Sequence, residues 1–463
     1  MPCRPVRLGA RAAAGLALGS VLLTSTRAAG SPTSETADAL VERAVRPARG
    51  KPDPAVTGVQ RPGRGSSDAA RAAANVALWL PREVVDLVFL TTGAAAGILE
   101  NEQVVPRMRE LLFTRDRSVG VYPTFFLETG ASPNVGARMV AAADNAATTL
   151  RAGFGGPDEN VAESRMRFGR TTPLPMMLSL EGLHERRTGL SYPGIGQSPG
   201  TDPRNRHSGG LRTLAFRDQR ERVIGSLGLR PSPNLELFVS SSYTQRHPHD
   251  LPNGEGPGLD EVFVAGTVPG LGRRTRFVYT ELALRIDTRT ARAAPVAGLL
   301  LETYAGSVHG VREDGASFVR AGGRAAAFFP LYRRTNILSP KLVVDGIDEP
   351  RGGAVPVLEL TRPSEFRGVG DRRDYVSVVA SLDYRWKLAS FVAARLFTDV
   401  ATVAPSLSEL TLRDLRWVGG FGLDVFSSHA EIGRIGVAAG PDGVSFLLSF
   451  GVAPRFGDRQ HRD

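Results

Sequence analysis

Apolar and polar residues alternate along the last stretch of the chain, from Val444 to Phe456. Every second residue from Val444 to Val452 is apolar, and the positions between them are small or polar except for Leu447. Period-two alternation that ends in an aromatic residue is typical of a membrane-spanning β-strand with one face in lipid. An edge strand of a soluble sheet is the alternative for this segment when it is taken alone.

The same kind of pattern recurs from Ser118 onward and predicts sixteen strands, at about 21 residues per strand including connections. Their predicted bounds are 118–129, 133–142, 145–154, 160–168, 173–183, 214–230, 233–246, 276–288, 295–306, 315–330, 334–346, 374–386, 389–401, 416–427, 430–440 and 443–456. The sequence therefore predicts an all-β fold, a 16-stranded antiparallel transmembrane β-barrel, preceded by a short helical segment.

The length of each connection depends on whether it follows an odd-numbered or an even-numbered strand. The four long insertions (184–213, 247–275, 347–373 and 402–415) all follow odd-numbered strands, and turns such as Pro231-Ser232 follow even-numbered ones. Short turns on one side and long loops on the other are expected of an outer-membrane barrel. With the N-terminus on the periplasmic side, the long loops are external.

The chain ahead of the barrel has three predicted parts. Residues 1–29 combine arginines, an apolar run and small residues, which indicates a secretory signal peptide cleaved between Ala28 and Gly30. Residues 30–75 are rich in Pro, Arg, Ser and Ala and predict a disordered linker. Residues 76–117 have helical spacing broken by proline and predict a pre-barrel segment at the periplasmic mouth or in the lumen. The barrel is assigned to 118–456 and a tail to 457–463.

Composition narrows the choice of partners. The formal net charge is +10, carried almost entirely by arginine, but no basic cluster is interleaved with aromatic residues. We therefore expect no nucleic-acid partner and favour contact with anionic lipid headgroups. The single cysteine, Cys3, lies in the predicted signal peptide, so the mature chain has no thiol.

Motifs for catalysis or metal binding are weak. Gly196-Gln197-Ser198-Pro199-Gly200 spells Gly-x-Ser-x-Gly, but a nucleophile elbow needs a strand before it and a helix after it. His247-Pro248-His249-Asp250 resembles a metal ligand pair without further ligands, and the histidines are expected mostly in loops or at strand ends. We expect no catalytic residue, no metal and no cofactor, and so no enzyme.

The stretch 323–456 carries a family resemblance, through motifs in a fixed order: Glu365-Phe366-Arg367-Gly368-Val369, Ser381-Leu382-Asp383-Tyr384-Arg385-Trp386 and Phe397-Thr398-Asp399-Val400-Ala401. The order resembles the C-terminal barrel of the BamA/TamA superfamily, the bacterial surface-antigen barrels. Val369, Asp383 and Ala401 replace the aromatic residue, glutamate and glycine of that family. Gly120-Val121-Tyr122-Pro123 is similar to the family's barrel opening, and Phe450, Gly451 and Phe456 resemble its terminal β-signal.

The resemblance implies that the loop containing Phe366, Arg367 and Gly368 folds into the lumen. Strand 13 places Asp399 on the parity opposite its apolar residues, so its carboxylate is expected to face the lumen. An Arg367–Asp399 pair would then relieve the cost of a buried charge. The alternative is that Arg367 is an ordinary solvated loop arginine.

The family resemblance implies a barrel of the bacterial outer membrane that assists insertion or transport of outer-membrane proteins or lipids. Its expected partners are outer-membrane lipids, the barrel assembly machinery during insertion, and a protein or lipid cargo. A passive channel or structural barrel is the alternative, and an outer-membrane lipid hydrolase is a third. Residues 31–117 are not expected to hold the POTRA modules that usually precede such barrels.

Overall fold

A computed structural model of the chain describes Thr114 and most residues from 118 to 449. Within that range it leaves out residues 127–133, 157–158, 171–174, 211–212, 252–255, 265, 292–293, 312–315, 333–334, 350–353, 389–391, 412–413 and 427–430. The predicted signal peptide, the linker, the tail and the pre-barrel segment apart from Thr114 lie outside the described residues. No helix within the described residues is long and apolar enough to cross a membrane.

Sixteen β-strands make up almost all of the regular structure. They are β1 (Val119–Phe126), β2 (Asn134–Ala143), β3 (Ala146–Gly156), β4 (Glu159–Arg170), β5 (Met176–Tyr192), β6 (Leu214–Ser232), β7 (Leu235–Asp250), β8 (Thr275–Asp287), β9 (Gly298–Gly310), β10 (Phe318–Tyr332), β11 (Asn336–Asp348), β12 (Val376–Lys387), β13 (Val392–Ala404), β14 (Arg416–Phe426), β15 (Glu431–Gly440) and β16 (Gly443–Ser449). A one-turn helix α1 (Leu259–Val262) and two 3-10 turns (Val357–Glu359 and Leu407–Glu409) lie in loops.

The sheet follows sequence order from β1 to β16, and each strand pairs antiparallel with the next. Residues of β2 to β6 and of β16 line one internal cavity, so the sheet curves until its two ends face the same space. Among the described residues, no ladder pair joins β1 to β16. The predicted all-β barrel with sixteen strands is confirmed, and so is the order of the strands.

The outward face of the sheet is apolar and the inward face polar. Leu396 on β13 and Phe446 on β16 are 59% and 72% exposed, while Asp399 and Ser445 on the same strands are buried. Inside, Arg285 bridges Glu236 and Glu302 at 3.0 and 2.7 Å. Such a polarity pattern suits a wall with lipid outside and a polar lumen. One residue departs from the prediction that the apolar parity of β13 faces outward: Val392, at the start of the strand, is buried.

Several strands are longer than predicted, and β5 exceeds its prediction most. β5 continues to Tyr192 rather than ending at residue 183, and β7 continues to Asp250 rather than 246. His184 therefore lies within β5, which corrects for this residue the expectation that the histidines are mostly in loops or at strand ends, whereas His247 and His249 lie among the last four residues of β7. The charged side chains in these extensions had suggested loop, but β5 and β6 pair them with each other, as in the 2.6 Å contact between Arg220 and Glu185.

The long connections are at 193–213, 251–274, 349–375 and 405–415, and all follow odd-numbered strands. The connections after even-numbered strands are shorter, with that between β8 and β9 (288–297) the longest of them. The predicted asymmetry of the two ends of the barrel is thus present.

The three longest loops and the strand ends below them share an apolar core. It covers the end of the sheet whose loops are predicted to be external, and we therefore call it the external cap. Its buried members are Tyr192, Leu214, Phe216, Val262, Phe263, Leu271, Phe277, Tyr279, Val308, Phe318, Ile347, Val355, Val357, Leu358 and Leu360. Burial of so many large side chains favours an ordered cap. The polar composition of these loops did not predict it.

Candidate functional site in the barrel lumen

The connection between β11 and β12 carries the residues singled out by the family resemblance. Within it, the Arg367 guanidinium contacts Asp399 of β13: Nε donates to Oδ2 at 2.7 Å and Nη2 to Oδ1 at 2.5 Å. The backbone N–H of Arg367 also donates to Asp399 Oδ2 at 3.1 Å. The loop therefore enters the lumen, and the contact expected between these two residues is present.

A second carboxylate and an aromatic ring complete the surroundings of Arg367. Its Nη2 donates to Asp383 Oδ1 on β12 at 2.6 Å, and its Cζ lies 3.7 Å from the ring centroid of Phe397 on β13. Burial alone would lower the pKa of Arg367, but the hydrogen bonds and charge of Asp399 and the charge of Asp383 raise it above its ordinary value. The loop arginine is thus held as a cation.

Asp399 is the most enclosed member of this group. Its side chain has no exposed surface, whereas that of Asp383 is 23% exposed. A carboxylate withdrawn from water is costly unless it is both paired and hydrogen-bonded. Arg367 meets this need with a bidentate contact.

Glu365, two residues before Arg367, also holds the loop to the wall by ion pairs, here through a negative charge on the loop. Lys341 Nζ on β11 donates to Glu365 Oε2 at 2.5 Å, and Arg324 on β10 forms an ion pair with Oε1. Glu365 reaches β10 and β11, and Arg367 reaches β12 and β13. Four consecutive strands therefore hold this short segment through alternating charges.

Phe366 and Gly368 fit the loop against the wall. Phe366 packs against buried Val343, Val379 and Ala401 and contacts a second buried cluster that includes Val418. A Cβ on Gly368 would lie 2.3 Å from Cε1 of Phe366 and 2.7 Å from Cγ1 of Val418. Only glycine leaves room for this close approach.

The loop is also tied to the last strands of the barrel. Ser445 Oγ on β16 donates to the carbonyl of Arg367 at 2.6 Å. Arg416 on β14 donates to the carbonyls of Val369 and Gly370 and, through Nε, to Asp442 Oδ2 at 2.8 Å. Asp442 lies in the turn between β15 and β16, so the loop bridges the interior of the wall up to its final strand.

Above the lumen, the same loop joins the external cap. Arg204 of the 193–213 loop makes a bidentate contact with Asp374, at 2.9 and 2.7 Å. Hydrogen bonds from Asp374 and Asp202 raise the pKa of Arg204, so this cation persists across the physiological range. The contact fastens two external loops to each other.

A cavity of about 1100 Å³ lies between the loop and the opposite wall. Residues of β2 to β6 line one side, including Arg151, Glu181 and Arg222, and residues 362–371 of the loop line the other. Its lining mixes both signs of charge. The arrangement forms a partly open chamber lined by polar and apolar groups in similar measure.

The Gly-x-Ser-x-Gly segment is part of the cap. Residues 195–201 form bends and turns, and the carbonyl of Ser198 accepts hydrogen bonds from the N–H groups of Thr201 and Asp202. Gln197 Oε1 accepts from the N–H of Val403 at 3.0 Å. The segment therefore lacks the strand–turn–helix geometry of a nucleophile elbow. The described residues contain no cluster of three or more acidic, histidine or cysteine side chains able to hold a metal.

The structure brings Phe366, Arg367, Gly368 and Asp399 together, whereas Phe450, Gly451 and Phe456 lie outside the described residues. Sequence reasoning missed the role of Glu365 and its partners Arg324 and Lys341. A signal was available, because Lys341 and Arg324 have the inward parity of their strands and the segment 362–370 contains one acidic residue, Glu365. It also missed Ser445, a small polar residue with no distinguishing pattern.

No protein-family model and no curated protein matches the chain. Among solved structures, it is similar to BamA from Haemophilus ducreyi lacking POTRA domains 1–3, with 13% identity and a TM-score of 0.50. That alignment covers 72% of this chain and 69% of that one. CdiB from Acinetobacter baumannii is 10% identical with a TM-score of 0.44, over 71% of this chain and 58% of that chain. The likeness to BamA shows the fold, so the chain is a BamA-like barrel in architecture.

Proposed function

We propose that the chain is a barrel of the bacterial outer membrane that assists insertion or transport of outer-membrane proteins or lipids. It would act through the shape of its wall, its lumen loop and its terminal strands, without a catalytic group. The observation that carries this proposal is the Arg367 contact with Asp399 and Asp383, which fixes an external loop inside the lumen.

The position of the loop supports an action at the edge of the sheet. It contacts β10 to β14 and, through Ser445, the final strand β16. The described parts of β1 and β16 share no ladder pair. We therefore place the proposed pairing with a client strand at this edge, because an open sheet edge is a template for strand addition. A lumen loop anchored beside that edge can hold β16 in place while another strand pairs with the edge.

The external cap argues against the alternative of a passive channel. A channel needs an open external mouth, and here three loops bury a common apolar core over it. The Arg204–Asp374 contact ties two of these loops together. We expect a conductance far below that of an open porin of similar strand number.

The test combines depletion in cells with reconstitution. Depletion should lower the amounts of several outer-membrane proteins or disturb lipid asymmetry, measured by membrane proteomics and surface labelling of lipids. Vesicles containing the purified protein should accelerate folding of a client barrel, followed by protease protection. Arg367→Ala should reduce that acceleration, and Arg206→Ala, at an exposed position of the cap, serves as the control.

Unchanged outer-membrane composition after depletion, together with no acceleration by wild type, would exclude the assembly proposal. High steady conductance of the same vesicles would support the passive channel instead.

A further inference from the structure

The outward surface of β5 to β8 changes from apolar to polar at one level. On β6, Val223 is 53% exposed, and the residues that share its parity toward the external end are Glu221, Gln219 and Arg217. Because side chains alternate across a strand, these three face outward with Val223. Asp218 and Arg222, of opposite parity, are buried.

The same change from apolar to polar side chains occurs at the paired positions of the neighbouring strands. Val223 pairs with Tyr243, which is 42% exposed. One step toward the cap, Glu221 pairs with Gln245, and Gln245 pairs with Arg276 on β8. The next steps on β7 are His247 and His249, the latter opposite Arg217. We call this outward group the outer belt: Arg217, Glu221, Gln245, His247, His249 and Arg276.

Hydrogen bonds hold the belt in two groups, one around Gln245 and one around Arg217. Arg276 Nε donates to Gln245 Oε1 at 2.8 Å, and Gln245 Nε2 donates to Glu221 Oε2 at 3.3 Å. Higher up, Arg217 Nε donates to His249 Nε2 at 2.6 Å. These contacts hold the two arginines in place through neutral groups, so the side chains are ordered before any ligand arrives, which lowers the entropy cost of binding.

The charge of the belt is basic. Two arginines face one carboxylate, that of Glu221, and exposed Arg274 immediately precedes β8. The belt thus complements an anionic partner.

The lower row of the belt lies at the level expected of a lipid headgroup, and its upper row, Arg217 with His249, lies two steps further toward the cap. Successive outward residues on a strand are about 7 Å apart. The headgroup zone on each side of a bilayer is about 5–8 Å thick, estimated from the difference between total and hydrocarbon thickness. Directly below the belt on β6 and β7 lie Val223 and Tyr243, followed by the exposed hydroxyl pair Ser241 and Thr280. Below that pair, Val239 and Leu282 are 50% and 59% exposed. The surface therefore offers apolar contact for acyl chains and a basic row above them.

We propose that the outer belt binds the phosphate-bearing headgroup of a lipid in the external leaflet, with its acyl chains against the apolar outward face of β6 to β8. The inference rests on membrane placement of the barrel and not on assembly activity. Its test uses binding alone, so failure of the belt and failure of the assembly proposal are distinguishable.

The experiment uses the full mature chain in phosphatidylcholine nanodiscs with added bisphosphorylated lipid A or its dephosphorylated form. Lipid that stays bound is quantified by native mass spectrometry. Wild type should retain the phosphorylated form preferentially. Arg217→Gln with Arg276→Gln should weaken retention about thirtyfold, the effect of two charges near a membrane surface. Lysine at both positions should weaken it less, because the charge is kept.

A matched control removes two charges elsewhere. Arg206→Gln with Lys387→Gln changes exposed residues of the cap and of the short-turn side, and should leave retention unchanged. Heat-modifiable migration on gels checks that each variant is folded. If the belt variant does not fold, the comparison of the two lipids on wild type decides alone.

Equal retention of the two lipids by wild type would overturn the proposal. So would full retention by the folded belt variant. Displacement of the lipid by inorganic phosphate at matched concentration would identify a site for the free ion and also overturn it.

Discussion

Replacing Arg367 by alanine removes the partner of a fully enclosed carboxylate. Asp399 would lose its bidentate side-chain contact, although the backbone N–H of residue 367 remains. Asp383 would lose a 2.6 Å contact, but it is partly exposed and reaches water. Replacing Asp399 instead leaves Arg367 paired with Asp383. The arginine substitution should therefore be the more damaging of the two.

The magnitudes follow from burial. Breaking a buried ion pair from one side typically costs about 3–5 kcal/mol, against about 0–1 kcal/mol for an exposed pair. We expect Arg367→Ala near the upper end of that range and Asp399→Ala near the lower end. The double variant should cost little more than Arg367→Ala alone, which corresponds to a coupling energy of about 3 kcal/mol.

The assay is chemical unfolding of the vesicle-folded barrel, followed by tryptophan fluorescence and gel mobility. Arg206→Ala, an exposed arginine of the cap, should change the free energy of unfolding by less than about 0.5 kcal/mol. Strict additivity of the two single effects, or two effects as small as that of the control, would refute the reasoning. Arg367 would then behave as a solvated loop residue, and the passive-barrel alternative would gain.

Three further predictions concern the same wall. Gly368→Ala should destabilise the barrel by about 1–3 kcal/mol through overpacking, measured by unfolding, because its Cβ would lie 2.3 Å from the nearest carbon. Gly210→Ala, with open space around its Cβ, is the silent control. Glu365→Ala removes the carboxylate that Arg324 and Lys341 share and should lower the unfolding midpoint more than Glu365→Gln, and equal midpoints would argue against charge pairing. Phe450→Ala with Phe456→Ala should leave the protein in the periplasm, and normal yields of heat-modifiable barrel would contradict this.

The number and order of strands were predictable because lipid outside and a polar lumen impose period two on every strand. Asp399 could be placed in the lumen from the same rule, since Leu396 and Asp399 have opposite parity on one strand. Arg367 required the family resemblance as well, because nothing within a loop sequence states which way the loop folds.

The full length of β5 and the external cap could not be predicted, because both depend on contacts between segments that are far apart in the sequence. The strand β5 was predicted to end before His184 because its next residues are charged, yet β6 supplies opposite charges in register, as in Arg220 with Glu185. The external cap was missed because Val262 and Leu358, residues from different loops, lie in short apolar runs without periodicity. Such residues acquire a common core only after the strands bring their loops together.

The contacts of the lumen loop are distributed unequally around the wall. Residues 365–368 are held by the C-terminal half, from Arg324 on β10 to Ser445 on β16. Nearer the cap, Glu359 of the same connection pairs with Arg246 on β7 at 3.1 Å. The cavity is lined by Arg151 and Glu181 of the N-terminal wall and also by Arg367, but not by Asp399. Substitutions at Arg367 should therefore affect the stability of the C-terminal wall first, and substitutions at Arg151 should affect the chamber without loosening the loop.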